Sequence, residues 1–419
     1  MASISHKPLA ELARAALASA LAGEPQPSTD LSELVRRAAC DSGDHAVEAT
    51  HTFFRDVVEP LCDLFDPAAT NAYARLFAAA AEQLLPGHPA LEILERYRRV
   101  RSVRRYSGNP KRVCILSRVT LGADVAVTSV VLAAAKQRFP NARICFVGPA
   151  KNAELFACDP RIEPLSIPYG RSALLKDRLL AAGSVRSVVD DADTLVIDPD
   201  SRLTQLGLLP VCDEGRYLFF ESRAYAPESP DPLPVLTARW IEETLGVRAA
   251  VPYLAPATRE SKADVAVSLG VGENPAKRLG DDLEYQAVRA LLAGGRTVVV
   301  DRGIGGEEAG RVDRLVERLA NKNLFVHDGS FASFSSHILQ CRLYFGYDSA
   351  GQHVAAAAGV PLVTVFAGYA AERTCQRWKP WGQGPMAVIK IDDANRSLAN
   401  EIVLSAIEEA VARAVEEAR

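Results

Sequence analysis

At 419 residues the chain is too long for one ordinary core, and two or three domains are expected. Hydrophobic residues make up 48% and charged residues 24%, the balance of a globular protein, while a net charge of −4 argues against a nucleic-acid binder. The eight cysteines stand at 40, 62, 114, 145, 158, 212, 341 and 375 with no CxxC pair, which speaks against a zinc ribbon or redox motif and for reduced thiols in the cytoplasm.

The stretch 8–23 is rich in Ala and Leu, but Glu11 and Arg14 interrupt it, so it reads as an amphipathic helix rather than a signal core. No run approaches the roughly 20 apolar residues of a membrane span. Apolar residues recur at three- and four-residue spacing over 9–21, 31–39, 46–65, 68–85 and 90–103, which predicts helices alone up to residue 105. Breaks fall near Gly23, Gly43, Asp66-Pro67 and Pro86-Gly87. Pro60 predicts a kink or a split in the third helix, and Asp66 an N-cap. Arg96, Arg98, Arg99, Arg101, Arg104, Arg105, Lys111 and Arg112 form a basic stretch. It suits a solvated helix face, or peripheral contact with anionic lipid on the inner side of a membrane.

At Arg112 the pattern changes to short apolar runs alternating with amphipathic segments. Strands are expected at 113–116, 143–147, 194–197 and 217–220, and helices at 124–139 and 173–180. The proline-rich stretch 226–234 reads as an exposed connection near a domain boundary, with a helix at 236–245. The alternation then restarts: strands at 264–269, 296–300, 324–327, 343–345 and 362–366, helices at 282–293, 307–319, 333–339 and 352–358, and a closing amphipathic helix at 400–418. This pattern predicts an α/β chain: two Rossmann-like, doubly wound domains facing a cleft, preceded by an all-α part. The expected bounds are 1–105 for the helical part, 110–235 and 236–395 for the two Rossmann-like domains, and 396–419 for the last helix.

Three strand-to-helix turns in the second half carry glycine: Gly270 to Gly272, Gly303 to Gly306, and the run Asp348, Ser349, Ala350, Gly351, Gln352, His353. Such turns present backbone N–H groups and the positive end of a helix dipole to a phosphate. A dinucleotide fingerprint and a Walker A motif are absent. In the first half Leu121-Gly122-Ala123-Asp124 follows the first strand directly, placing an acid at a helix entry.

The run from Arg118 through Gly122, Asp124 and Thr128 to Arg138-Phe139-Pro140 resembles the opening motif of the heptosyltransferases, glycosyltransferase family 9, where a strand leads into a Gly-Asp turn. Asp348 to His353 and on to Pro361 resembles that family's Asp-Thr/Ser-Gly-x-x-His motif. Pro275-Ala276-Lys277 resembles its Lys-containing turn, Trp378 to Gly382 its Pro-Trp-Gly segment, and Asp198 to Gly207 its acceptor-side loop. The resemblance covers about residues 112–395. It implies a GT-B fold and an inverting, metal-independent glycosyltransferase that moves a heptose or related sugar from a nucleotide-diphosphate donor to a glycan or lipid-linked acceptor, with no cofactor. Asp124 is the implied base and Lys277 the group that neutralises the leaving diphosphate. Gly272, Lys277, Glu308 (or Glu307), Asp348, Ser349, Gly351, Gln352 and His353 are the implied donor-binding residues, and Gly122, Thr128, Asp198 and Arg202 the acceptor-side ones. Chemistry agrees: an inverting displacement needs a base on one side and positive or N–H groups on the other. Ala350 stands where the family usually has Gly, and Glu273 precedes Lys277, where it repels a diphosphate unless Lys277 or Arg278 pairs with it. A sugar-nucleotide epimerase and a non-catalytic scaffold on the same fold are the alternatives.

Overall fold

A computed structural model describes residues 7–23, 28–40, 43–170, 174–258, 260–272, 274–303 and 305–416. The chain opens with helices: α1 (Leu9–Leu21), α2 (Thr29–Cys40), α3 (Asp44–Phe53), α4 (Glu59–Asp63), α5 (Pro67–Leu84) and α6 (Ala90–Val100). α3 runs into α4 through a π turn, Phe54–Val58. The widened turn lies directly before Pro60 and accommodates its ring and missing N–H, so the proline neither splits nor ends the helix. α5 starts where Asp66 accepts hydrogen bonds from the N–H groups of Ala68 and Ala69, with Pro67 in the first turn.

The first sheet holds five parallel strands in the order β3-β2-β1-β4-β5. β1 (Arg112–Leu116) leads into α7 (Leu121–Ala123), a π turn at Asp124–Thr128 and α8 (Ser129–Arg138). β2 (Arg143–Gly148), α9 (Ala150–Ala153), β3 (Ile162–Ser166), α10 (Leu175–Val189), β4 (Thr194–Asp198), β5 (Tyr217–Phe219) and α11 (Leu233–Leu245) follow. Side chains alternate across this sheet and so divide between two cores. Cys114, Leu116, Cys145, Val147 and Val196 face one way and join a core with α1 to α6 and α10. Val113, Ile115, Ile144, Phe146, Leu195 and Ile197 face the other way and join a core with α8 and α11. The helical part is therefore a covering layer of the first sheet, not a separate body.

Part of the basic stretch turns inward. Arg96 is buried, donates to the Gly207 carbonyl (2.8 Å) and stacks over Tyr217 (4.9 Å). Arg99 pairs with Glu214, Arg101 with Glu221 and Lys111 with Asp193, while Arg104 donates to the carbonyl of Tyr217 and Arg112 to that of Val188. These contacts clasp the helical layer and β1 to the edge of the sheet, while Arg98, Arg99, Arg104, Arg105 and Lys111 remain exposed. Among the described residues no helix is long and apolar enough to cross a membrane.

The second sheet has six parallel strands in the order β11-β10-β9-β6-β7-β8. β6 (Val265–Ser268), α12 (Asp281–Leu292), β7 (Val298–Asp301), α13 (Gly306–Leu319), β8 (Leu324–His327), α14 (Phe331–Ile338), β9 (Leu343–Tyr347) and α15 (Ala350–Ala357) come first. β10 (Leu362–Ala367), α16 (Glu372–Trp378), β11 (Met386–Ile391) and α17 (Ala399–Glu416) complete it. Val403 and Ile407 of α17 are fully buried in this unit's core. The edge strands β3 and β11 escape the sequence pattern because their side chains are largely half-exposed and do not alternate cleanly.

The proline-rich stretch is half-buried rather than an exposed link: Arg377 on α16 donates to the carbonyls of Ala226, Ser229 and Asp231. α11 packs on the first unit, and the chain stays there through Ala255, whose N–H donates to Leu155 O (2.8 Å). The core beneath α8 and α11 also takes in Phe334, Tyr344, Val354 and Leu362 of the second unit. The two halves also share a hydrophobic interface. Seven cysteines are unpaired, consistent with free thiols; the Cys40 side chain lies outside the described residues.

Candidate functional site

In each sheet the strand order reverses beside the first strand of the unit: β1 lies between β2 and β4, and β6 between β7 and β9. Ligands of doubly wound sheets bind outside the strand ends at such switch points. The loops that leave those ends carry nearly all the residues singled out from sequence.

After β1 the chain reaches Gly122, which abuts the second unit. A Cβ placed on Gly122 would lie 3.1 Å from Ala350 Cα and 3.2 Å from His353 Cδ2. The Ala350 backbone at the head of α15 therefore lies against the opposite half. Asp124 follows after Ala123, an interposed residue in what the resemblance makes a Gly-Asp turn. The π turn Asp124–Thr128 takes up that residue and sends the carboxylate inward. Asp124 has no exposed surface and accepts four hydrogen bonds: from Ser117 Oγ (2.6 Å), Arg118 N (2.7 Å), Thr128 Oγ1 (2.6 Å) and Asn152 Nδ2 (2.6 Å). Burial raises its pKa, and these four donors oppose the rise. Thr128 is thus a partner of Asp124, not a surface facing the other half.

Asp198, at the end of β4, is fully buried and accepts from Ser201 N (2.7 Å), Thr204 Oγ1 (2.5 Å) and Tyr217 Oη (2.6 Å). Burial pushes its carboxyl up to about 6. It holds the loop that follows rather than facing the second unit. Arg202 turns to the helical layer, where its Nη2 donates to Glu59 (2.7 Å) and lies 3.6 Å from Cys62 Sγ. Its Nη1 is buried with no partner. Sequence reading passes over the charged group beside it. Arg118 donates to Pro199 O (2.8 Å) and to Ser222 Oγ (2.7 Å), Ser222 donates to Asp200 (2.5 Å), and Arg223 pairs with Asp200. Burial lowers Arg118 to about 10, and its guanidinium sits 5.9 Å over the Trp378 ring.

On the second unit, Lys277 ends a short turn, Pro275–Lys277, and donates to Asp348 Oδ2 (2.6 Å). Gln352 Nε2 holds the other oxygen of Asp348 (2.6 Å), and Thr364 fixes Gln352 (2.8 Å). His353 is buried, its pKa lowered to about 4 by that burial, and its ring lies 6.0 Å from Trp378. It is neutral at pH 7. Ser349 Oγ, at the head of α15, and Tyr344 Oη are both buried and lie close enough to interact, with no further partner among the described residues save Ser268 beside Tyr344. Gly351 has a packing reason for being glycine: a Cβ there would sit 2.2 Å from Tyr344 Oη. Gly272 takes a left-handed turn (φ 63°) with open space around it. Glu308 lies in a cradle of two glycines, since a Cβ on Gly270 would be 2.2 Å from its Oε1 and one on Gly303 2.5 Å from its Cδ. Burial raises the Glu308 pKa, whereas Glu307 stands 85% exposed, which separates the two candidates. Glu273 lies outside the described residues; Arg278 pairs with Asp281 and Glu284 instead.

No family model matches the sequence, and no curated protein does. Solved structures do. E. coli heptosyltransferase WaaC with ADP aligns over 71% of this chain and 99% of its own, at 17% identity and a TM-score of 0.53. The same enzyme with ADP-2-deoxy-2-fluoro heptose gives the same figures. A glycosyltransferase family 9 protein of Veillonella parvula aligns over 74% of this chain and 98% of its own, at 16% identity and a TM-score of 0.53. The chain has the heptosyltransferase fold. At such identities the likeness is one of architecture, and the heptosyltransferase fold alone names neither substrate nor reaction.

Proposed function

We propose that this protein is a cytoplasmic glycosyltransferase of the heptosyltransferase kind, which moves a heptose or related sugar from a nucleoside diphosphate to an acceptor hydroxyl of a glycan or lipid-linked glycan. The observation that carries this is the meeting of the two switch-point turns, with Gly122 against Ala350 and His353. Lys277, the N–H groups at the head of α15 and the buried Ser349 hydroxyl are the groups for a diphosphate. Asp348 keeps Lys277 in place, and Glu308 in its glycine cradle is the group for a ribose hydroxyl. The developing charge on the leaving diphosphate is met by these protein groups, without a metal ion. ADP bound to WaaC supports a nucleotide donor here. Asp124, the implied base, has all four acceptor positions filled, so it takes a proton only when one donor leaves.

Calorimetry with ADP, UDP, GDP and dTDP tests this. At least one binds the wild type, and Lys277→Ala weakens it by about 10–100-fold, or about 1.4–2.7 kcal/mol. No binding of any of them, or an affinity that Lys277→Ala leaves unchanged, refutes the reading. The filled Asp124 carboxylate also favours a second reading, a protein that binds a nucleotide sugar without transferring it. Tight nucleotide binding with no turnover of any nucleotide sugar distinguishes the two.

A further inference from the structure

β5 is the last strand of the first sheet, and no strand pairs with its outer edge. A cavity of about 200 Å³ lies along that edge. Its walls are Arg101 and Val103 where the chain leaves α6, Phe219 and Glu221 at the end of β5, Tyr225 in the loop that follows, and Trp240 on α11. Phe220 N donates inward to Asp198 O (2.9 Å). Backbone groups alternate in direction along a strand, so the N–H and C=O of Phe219 point away from β4, toward the open edge. Among the described residues no hydrogen bond holds either of them. Trp240 Nε1 is likewise buried without a partner.

Glu221 is buried, with its Oε1 accepting from Tyr97 Oη (2.5 Å) and its Oε2 from Arg101 Nε (3.0 Å) and Nη2 (2.7 Å). A lone pair remains on Oε1, while the charge of Arg101 is already met. The cavity is therefore close to neutral, with hydrogen-bond donors and acceptors set among aromatic rings and the exposed Val103.

Its position ties it to the first switch point. Ile115, Ile197 and Leu218 stand level across β1, β4 and β5. Arg118 and Glu221 each lie three residues further on, at the same end of the sheet. With strands about 5 Å apart, the cavity lies about 10 Å along the sheet from the loop after β1. Ser222 bridges the gap, accepting from Arg118 Nη1 (2.7 Å). Arg101 and Val103 precede the stretch 112–395 that resembles the heptosyltransferases, so one wall is this chain's own addition to that fold.

We propose that this cavity binds one neutral sugar ring of the acceptor glycan, beyond the ring that receives the transferred sugar, and that the helical layer thereby takes part in choosing the acceptor. The inference rests on the sugar-transfer reading. A sugar ring carries hydroxyls that both donate and accept around an apolar C–H face, which matches outward backbone groups, a paired Arg and Glu, and aromatic walls. An anion is disfavoured, because Arg101 is neutralised and the buried Glu221 carboxylate repels it.

The test is calorimetry on the full chain with the methyl glycosides of D-glucose, D-galactose, D-mannose and N-acetyl-D-glucosamine, and with inorganic phosphate as the anionic contrast. At least one glycoside binds the wild type with a dissociation constant of about 10 mM or tighter. Ala224 lines the cavity, and Ala224→Trp, which fills it, weakens that binding by about tenfold or more. With an oligosaccharide carrying the same ring as acceptor, Ala224→Trp raises KM by a similar factor. No binding of any glycoside, an affinity or a KM that Ala224→Trp leaves within about twofold, or loss of phosphate binding in place of glycoside binding overturns the proposal. Should Ala224→Trp fail to fold by circular dichroism, a crystal of the wild type with the glycoside that binds decides: density against Phe219 and Glu221 supports the proposal, and density only elsewhere overturns it. A wild type that binds a nucleoside diphosphate but fails these tests sinks this inference alone. A wild type that binds no nucleoside diphosphate sinks the transfer reading, and the acceptor role of the cavity with it.

Discussion

Gly368→Ala tests how the Lys277 turn is held. Gly368 follows β10 in a left-handed conformation (φ 58°), and its backbone backs onto that turn. A Cβ there would fall 2.4 Å from the Ala276 carbonyl carbon and 2.5 Å from its oxygen. Both are backbone atoms and cannot rotate away. Asn274 ties the same two segments, donating to Gly368 O (3.1 Å) and accepting from Ala276 N (3.0 Å). A left-handed alanine costs about 1–2 kcal/mol and overpacking about 1–3 kcal/mol, so the substitution costs about 2–5 kcal/mol in all. Part of this is relieved by displacing the 274–277 turn, which carries the Lys277 ammonium away from Asp348 and the diphosphate groups. Urea unfolding reads the stability loss. Calorimetry with the nucleoside diphosphate that binds reads the displacement, expected as an affinity lowered by about tenfold. A variant within about 0.5 kcal/mol of wild type and with undiminished affinity would refute the argument that this contact sets the turn.

Two further predictions concern the frame of the site. Asp198 has a folded pKa raised to about 6 by burial, so the protonated form is favoured on folding. Its contribution is full below the unfolded value near about 3.9 and is lost as pH rises through about 6. Asp198→Asn, which cannot ionise, therefore gains stability relative to wild type as pH rises from about 4 to about 6, by at most about 3 kcal/mol, with no further gain above; a difference independent of pH in urea unfolding contradicts the burial argument. A chain starting at residue 106 lacks the layer that covers Cys114, Leu116, Cys145, Val147 and Val196, and is expected to aggregate or lose near-ultraviolet circular dichroism. A soluble, folded monomer in size-exclusion chromatography would mean that the layer is dispensable.

Sequence by itself determined the order of helices, the alternation that makes two parallel sheets, and the turns that leave them. Those follow from local periodicity and from glycine at strand ends, which act within a few residues. It also marked Lys277, Asp348 and His353, which the fold brings together around the head of α15. Edge strands β3 and β11 left little trace, because a half-exposed strand need not alternate. Tertiary structure alone decided where each acid points. Asp124 and Asp198 look alike in sequence to any carboxylate at a strand end, yet packing turns both inward onto complete sets of donors. The turn after α4 carries no signal beyond its place at the end of a helix, and only tertiary packing sets the Asp63 and Phe65 carbonyls against Thr374 and Arg373 of the second unit. A carboxylate's chemistry depends on solvent and neighbouring charge, and those come from residues distant along the chain.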